Sequence, residues 1–302
     1  MEEIKWPEGF PEVDVMMEMI KKTINTSWKN NLTNDDVVKW LQNFTGMVYP
    51  KETEHRLALW MLAYYTYYNE KEVNHLCKIL YRTLLHDVAM REKLDTDIKL
   101  KNIFNKMYFS AMGDAGESGG LLLYMFRQEA GISMDRFFYP TAIKGDDEGI
   151  AVFIDDVTLS GTTAERFYKK NKDSMNFKYI YYITLFASEE AVSRISQHNV
   201  NVLYATLLND RDRSFSEKSM MFYHFPELRN YAKKLAEEYG KIIEPEKPLG
   251  YKNGQYSFGF NYNTPNNTLP IFWSDKGWYP LFPRKEKIYN VRGREDNFGK
   301  FV

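Results

Sequence analysis

The run Val152-Phe153-Ile154-Asp155-Asp156-Val157-Thr158-Leu159-Ser160-Gly161-Thr162-Thr163-Ala164 constrains this chain more than any other stretch. Ile150 to Ile154 is short, apolar and rich in β-branched residues, and it follows the polar turn 144–149, so it reads as a strand inside a parallel sheet. Asp155 and Asp156 then stand at its carboxyl end, where open α/β sheets place their ligands. Ser160 to Thr163 offer hydroxyls and backbone N–H groups around Gly161. Ala164-Glu165-Arg166-Phe167-Tyr168 starts a helix whose positive end faces the same point, a seat for phosphate. Adjacent carboxylates can accept from two neighbouring ribose hydroxyls while the following loop holds a 5-phosphate. Taken singly, an Asp pair is a common turn or cap and Ser-Gly-Thr-Thr a common N-cap. The succession of strand, acids, loop and helix is what points to a sugar phosphate.

The flanking order agrees. Ile103 to Met112 reads as a strand running into Gly113-Asp114-Ala115-Gly116-Glu117-Ser118-Gly119-Gly120, then an amphipathic stretch, Leu121 to Gln128. By itself that Gly-rich turn is as well a plain connection as an anion cradle. Phe137 to Ile143, Tyr179 to Phe186 and Val200 to Leu208 read as further strands, and Ala187 to His198 as a helix opened by Ser188 with Glu189 and Glu190 in its first turn. Strands alternating with helices predict an α/β fold with a parallel sheet.

The first hundred residues read as helical. Thr33-Asn34-Asp35-Asp36 resembles a capping box with Asp in place of Glu, which starts a helix over about 32–44. Apolar residues at spacings of three and four predict helices over 53–68 and 70–91. The Tyr64-Tyr65-Thr66-Tyr67-Tyr68 cluster is read as packing rather than a stacking platform for nucleic acid. Cys77, the one cysteine, sits among Val73, Leu76 and Leu80 and reads as a buried structural thiol. The five histidines show no metal-ligand spacing. A net charge of −1 gives no global footprint for nucleic acid. With no signal-like start and no apolar stretch long enough for a bilayer, a soluble cytoplasmic protein is expected. With 302 residues and 44% hydrophobic content the chain can bury a sizeable core. The expected division is a helical region over 1–95, an α/β core over 96–235 and a C-terminal segment over 236–302, with a short helix from Ala232 to Tyr239 ending at Gly240.

The acid pair and its loop resemble the ribose-phosphate site of type I phosphoribosyltransferases. That resemblance implies that Asp155 and Asp156 contact the ribose hydroxyls of phosphoribosyl diphosphate, and through them Mg²⁺, while Ser160, Gly161, Thr162 and Thr163 hold the 5-phosphate. It implies a pyrophosphate turn at Glu117, Ser118, Gly119 and Gly120, with Arg127 as a charge partner and Arg211 or Arg213 as further candidates. Members acting on 6-oxopurines carry another Asp just before the phosphate loop; Leu159 stands there, which argues against hypoxanthine-guanine salvage. The C-terminal Thr-Pro-Asn-Asn-Thr-Leu-Pro segment, taken with the two motifs, resembles the PRTase-CE group of prokaryotic conflict systems, some of which accompany retrons or other antiphage operons. In this reading Asn266, Asn267 and Trp273 form a hood over an acceptor pocket, Asn supplying amide groups and Trp a stacking face. Two functions follow from the resemblance: a phosphoribosyltransferase acting on a nucleotide, base or nucleic-acid acceptor, with a conflict-system partner protein or nucleic acid, or a non-catalytic nucleotide-sensing or partner-binding module on the same fold.

Overall fold

A computed structural model describes residues 4–29, 31–112, 118–139 and 146–284. Three helices come first, α1 (Val13–Thr26), α2 (Asn34–Leu41) and α3 (Lys51–Ala63), then a short strand β1 (Thr66–Tyr68) and the helices α4 (Glu70–Arg91) and α5 (Asp97–Phe104). The middle of the chain alternates: β2 (Met107–Ala111), α6 (Ser118–Ala130), β3 (Asp146–Thr158), α7 (Thr162–Asn171), β4 (Phe177–Ser188), α8 (Glu189–Ser196) and β5 (Asn201–Leu208). After it come α9 (Arg229–Ile243), β6 (Phe258–Phe260) and α10 (Pro270–Trp273).

Strands β2, β3, β4 and β5 lie side by side in chain order, all parallel. Alternation along β3 sorts the faces: Ile150, Val152 and Ile154 pack with Leu122 and Phe126 of α6 and with Val73, Leu80 and Leu84 of α4, whereas Ala151 and Phe153 pack with Ala164 and Tyr168 of α7 and Ile195 of α8. Both faces are therefore covered, which explains the near-continuous apolar run of β3. This is the α/β architecture expected from the motif. Among the described residues no helix is long and apolar enough to cross a membrane.

Local capping follows the sequence closely. Thr33 and Asp36 form the reciprocal capping box of α2, and Asn69 with Glu72 forms another that starts α4. Ser188 caps α8, accepting from the Ala191 N–H.

Several boundaries move. The helix expected over 53–68 stops at Ala63, because the tyrosine cluster leaves it as β1, pairing in parallel with β6. Tyr65 and Tyr67 turn toward Phe282, with ring centroids 4.0 Å and 5.5 Å away, and Tyr68 turns to Phe186 at 4.9 Å. Packing claims these rings, as expected. The strand expected over 103–112 begins only at Met107, since Ile103 and Phe104 finish α5. Of the strand expected over 137–143, Phe137 bridges to Phe109 and residues 140–143 lie outside the described ones. Helix α9 runs through Gly240 to Ile243.

Packing also groups the chain differently from the expected division. The N-terminal helices α1 to α3 share one core with Phe215, Met221, Leu235, Ile271 and Phe272. The two ends of the chain thus build a second core together, and its clamp is Glu54, a fully buried carboxylate that accepts from the loop 46–49 and from Tyr239. Helix α4, assigned by sequence to the N-terminal region, belongs to the sheet.

Candidate functional site

Strand β3 continues through the acid pair to Thr158, so Asp155 and Asp156 lie within its last turn of pleat rather than after it. The Asp155 carboxylate accepts from the Tyr182 hydroxyl of β4 at 2.6 Å and from the Asp156 N–H at 2.9 Å. Asp156 accepts from the Val157 N–H at 2.8 Å. Burial pushes the Asp155 carboxyl well above the ordinary carboxylate range, and the charge of Asp156 beside it pushes the same way. Tyr168 and Tyr182 are raised in turn, by burial first and then by Asp155, so both stay protonated; Tyr182 donates to Asp155, and the buried Tyr168 hydroxyl has no hydrogen-bond partner among the described residues.

The loop after the acids is shaped by Gly161. Its φ of +66° is left-handed, and a side chain there would come within 3.2 Å of the Ala191 backbone and 3.3 Å of Arg194. Glycine thus lets the loop lie against α8. Gly161 is also the N-cap of α7 and brings no side chain to that end, which leaves the cap to the backbone. The Thr162 hydroxyl donates to Ser160 Oγ at 3.0 Å, and Thr163 is exposed in the first turn. Glu165 would oppose an anion here, but Lys169 and Arg194 neutralise it and hold its carboxyl down at about 2.

On the other side, Ser118, Gly119 and Gly120 form the first turn of α6. A side chain at Gly119 would approach the Met112 carbonyl to 2.8 Å and the Ile154 carbonyl to 3.7 Å. Only glycine lets this turn settle on the ends of β2 and β3, next to the acid pair. Glu117 lies outside the described residues. The fold therefore brings together Asp155, Asp156, the loop 160–163 and Gly119.

Other expectations change. Arg127 sits nine residues into α6, about 13 Å along its axis from Ser118 at the usual rise per residue, and lies over the Tyr124 ring rather than turning to the acids. Arg211 and Arg213 line a cleft of about 590 Å³ at the carboxyl ends of β4 and β5, across the sheet from β2, together with Ser160, Glu189, Glu190, Tyr251, Lys252 and Asn267. Arg213 donates there to the Asn253 carbonyl at 2.9 Å. Trp273 is buried, with its indole N–H donating to the Thr268 carbonyl at 2.8 Å, so it has no free face for a base. Asn266 and Asn267 hold backbone: the Asn266 carbonyl accepts from the Tyr251 N–H, and Asn267 Nδ2 donates to the Tyr251 carbonyl at 3.0 Å. Asn267 alone of the three reaches the cleft wall. Cys77 is buried as expected, its thiol pushed up to about 12 by burial and by Glu129. Among the described residues no group of three or more His, Cys, Asp or Glu could hold a metal ion.

Four residues near the motif had not been singled out: Tyr182, Tyr168, Tyr262 and Lys252. For Tyr182 a signal existed, since the register pairs it with Phe153 and alternation sets it on the face of Asp155.

The family model for PRTase-CE matches residues 37–284. The chain belongs to the PRTase-CE family. Its phosphoribosyltransferase-like fold is the one the motif implied. Among solved structures, this PRTase-CE chain is similar to orotate phosphoribosyltransferase from Aeropyrum pernix (14% identity, TM-score 0.27, covering 35% of this chain and 62% of that one). It is also similar to a hypothetical protein from Neisseria gonorrhoeae with bound ppGpp (11%, TM-score 0.33, 56% and 97%) and to the AQ2163 protein from Aquifex aeolicus (14%, TM-score 0.26, 36% and 59%). No curated protein matches the chain.

Proposed function

We propose that this PRTase-CE chain binds phosphoribosyl diphosphate or a related ribose phosphate with Mg²⁺, and transfers the ribosyl unit to a nitrogenous acceptor on a nucleotide, base or nucleic acid. One observation carries the reading: the adjacent acids close β3 between the first turns of α6 and α7, so a sugar can meet carboxylates while its two phosphate ends meet two helix starts. In the transfer, the acceptor nitrogen's lone pair forms the C1–N bond as the C1–O bond to diphosphate breaks. The electron pair leaves with diphosphate, and the acceptor's proton passes to solvent. Asp155 and Asp156 would fix the ribose hydroxyls so that C1 faces the acceptor, which is orientation rather than nucleophilic catalysis.

The residues fit Mg²⁺ in a limited way. Asp155 and Asp156 would hold the ion indirectly, through the ribose hydroxyls they accept from, and the crowding that raises the Asp155 carboxyl favours a positive charge nearby. The ion's oxygens would come from the ribose phosphate and water. When bound, the ion supplies positive charge for the leaving diphosphate. The cleft lined by Arg211, Tyr251 and Asn267 is the proposed acceptor side. On the conflict-system resemblance, the reading extends to a cytoplasmic antiphage effector of the retron-associated kind.

Calorimetry with phosphoribosyl diphosphate and Mg²⁺ tests this. The double variant Asp155→Asn, Asp156→Asn should weaken binding by roughly 1–3 kcal/mol, the range for hydrogen bonds to charged groups, and should relieve any growth arrest caused by expressing the parent alone. A parent that does not bind, or a double variant that binds equally well, would reject the reading.

A further inference from the structure

Lys252 belongs to the C-terminal segment, ninety residues beyond the phosphate loop, yet its ammonium donates to the Thr162 hydroxyl at 2.9 Å. That hydroxyl in turn donates to Ser160. We infer that Lys252 is a phosphate-binding residue of the proposed ribose-phosphate site, reaching over the loop 160–163 from outside the sheet. The inference rests on the reading that this loop holds the 5-phosphate.

Three observations support it. First, among the described residues Lys252 has no carboxylate partner; of the acids around it Glu190 and Glu165 pair with Arg194 and Asp210 with Arg213, while Glu189 stands in the same cleft wall without touching it. A cation without a carboxylate partner, beside the Tyr251 ring and resting on a hydroxyl at a helix start whose N-cap is glycine, leaves positive charge available to an anion. Second, the backbone that delivers it is strained. Lys252, Asn253 and Gln255 have φ values of 52°, 55° and 58°, a left-handed region that Asn tolerates but that costs residues such as Lys and Gln about 1–2 kcal/mol each. Such strain persists only where the surroundings enforce it, and it gathers at ligand clamps. Third, the surroundings do enforce it. Arg213 holds the Asn253 carbonyl, Asn267 holds that of Tyr251, and Gly250 and Gly254 lie so close to the Asn267 carbonyl that side chains there would meet it at 2.4 Å and 2.6 Å. Asn267, expected to read an acceptor, instead pins the strap that positions Lys252. Lys252 also lines the wall of the cleft beside Ser160, so a phosphate on the loop would face its ammonium.

The test measures binding of inorganic phosphate and of ribose 5-phosphate by calorimetry, with melting temperature as the folding control, in Lys252→Met, Lys252→Arg and Lys252→Gly. Methionine keeps the length and removes the charge; glycine also relieves the left-handed strain. The expected result is a loss of tenfold or more in affinity for both ligands in Lys252→Met and Lys252→Gly, a smaller loss in Lys252→Arg, and a melting temperature in Lys252→Gly no lower than that of the parent. Parent-like affinity in Lys252→Met and Lys252→Gly overturns the inference, and so does a parent that binds neither ligand. The two claims fail separately. If the Asp155, Asp156 double variant loses ribose 5-phosphate while Lys252→Met does not, only Lys252 is misassigned. If inorganic phosphate binding depends on Lys252 but the acid pair proves irrelevant to the sugar, only the ribose reading falls.

Discussion

Glu54 and Asp155 are both carboxylates drawn away from bulk water, but their surroundings differ in kind. Glu54 accepts from the N–H groups of Gly46 (2.8 Å), Val48 (2.7 Å) and Tyr49 (3.0 Å) and from the Tyr239 hydroxyl (2.6 Å). Asp155 has two donors and a like charge next door, and its carboxyl is pushed toward protonation. A buried charge is tolerable when hydrogen bonds replace its lost water. Glu54, fully buried, meets that condition and ties a loop to α9; Asp155, half-buried with two donors and a charged neighbour, meets it less completely, and a ligand's hydroxyls or a cation can supply the remainder. The difference separates a carboxylate that builds the fold from one that the proposed function assigns to a ligand.

The largest expected effect is therefore at Glu54. Replacing it with alanine leaves three N–H groups, that of Tyr49 buried and those of Gly46 and Val48 half-buried, and a buried tyrosine hydroxyl without their acceptor, and each buried donor left unsatisfied costs about 1–3 kcal/mol. Urea unfolding followed by circular dichroism measures it, while ribose 5-phosphate affinity per folded molecule stays near the parent's. A cost below about 1 kcal/mol, the usual worth of one ordinary hydrogen bond, would erase the contrast.

Asp155→Asn should behave oppositely. A carboxyl whose folded pKa lies above its unfolded value contributes stability that is complete below the unfolded value and is lost as pH rises through the folded one. The parent should thus lose melting temperature relative to Asp155→Asn as pH climbs past the ordinary carboxylate range, the gap widening toward neutrality. Ligand binding runs the other way: hydroxyl donors and Mg²⁺ favour the ionised acid, so binding by the parent should release protons and strengthen with pH over the same interval. Calorimetry in buffers of different ionisation enthalpy counts those protons. A constant melting gap across pH would show that Asp155 is settled in one protonation state by the fold.

The same contrast explains what could be read from sequence. The run 150–164 was legible because strand, acids, glycine and helix start are consecutive, and their local geometry is fixed by neighbours along the chain. The places of Asp155, Asp156 and Gly161 at the end of a strand and the start of a helix needed no distant partner to be read. Lys252 did: nothing around Tyr251-Lys252-Asn253 signals that Arg213 and Asn267 force it left-handed and over Thr162. Trp273 failed for the same reason. Its neighbours Asn266 and Asn267 suggested an irregular surface hood, but the second core, assembled from residues more than two hundred apart such as Trp40 and Ile271, swallowed the indole. Tertiary packing between the chain's ends carries no local signature.

The smallest effect sharpens the comparison at Tyr262. Its ring stacks on Phe260, with centroids 5.3 Å apart and planes inclined by 3°, and its hydroxyl is buried without a hydrogen-bond partner among the described residues. Burial raises its pKa first, and the charge of Asp156 raises it further, so the phenol stays protonated and its donor goes unused. An unsatisfied buried hydroxyl costs about 1 kcal/mol or more, so Tyr262→Phe should stabilise the ligand-free chain by about that amount, measurable as a shift in urea midpoint at unchanged slope. This is the reverse of Glu54, where removing a polar group unravels its surroundings. If Tyr262→Phe is instead destabilising, the hydroxyl has a water partner, and the region around Asp156 is better satisfied than the contrast with Glu54 requires. If it stabilises the free chain but also weakens ribose 5-phosphate binding, the hydroxyl's missing partner is the ligand itself, and the cost it imposes on the empty fold is recovered on binding.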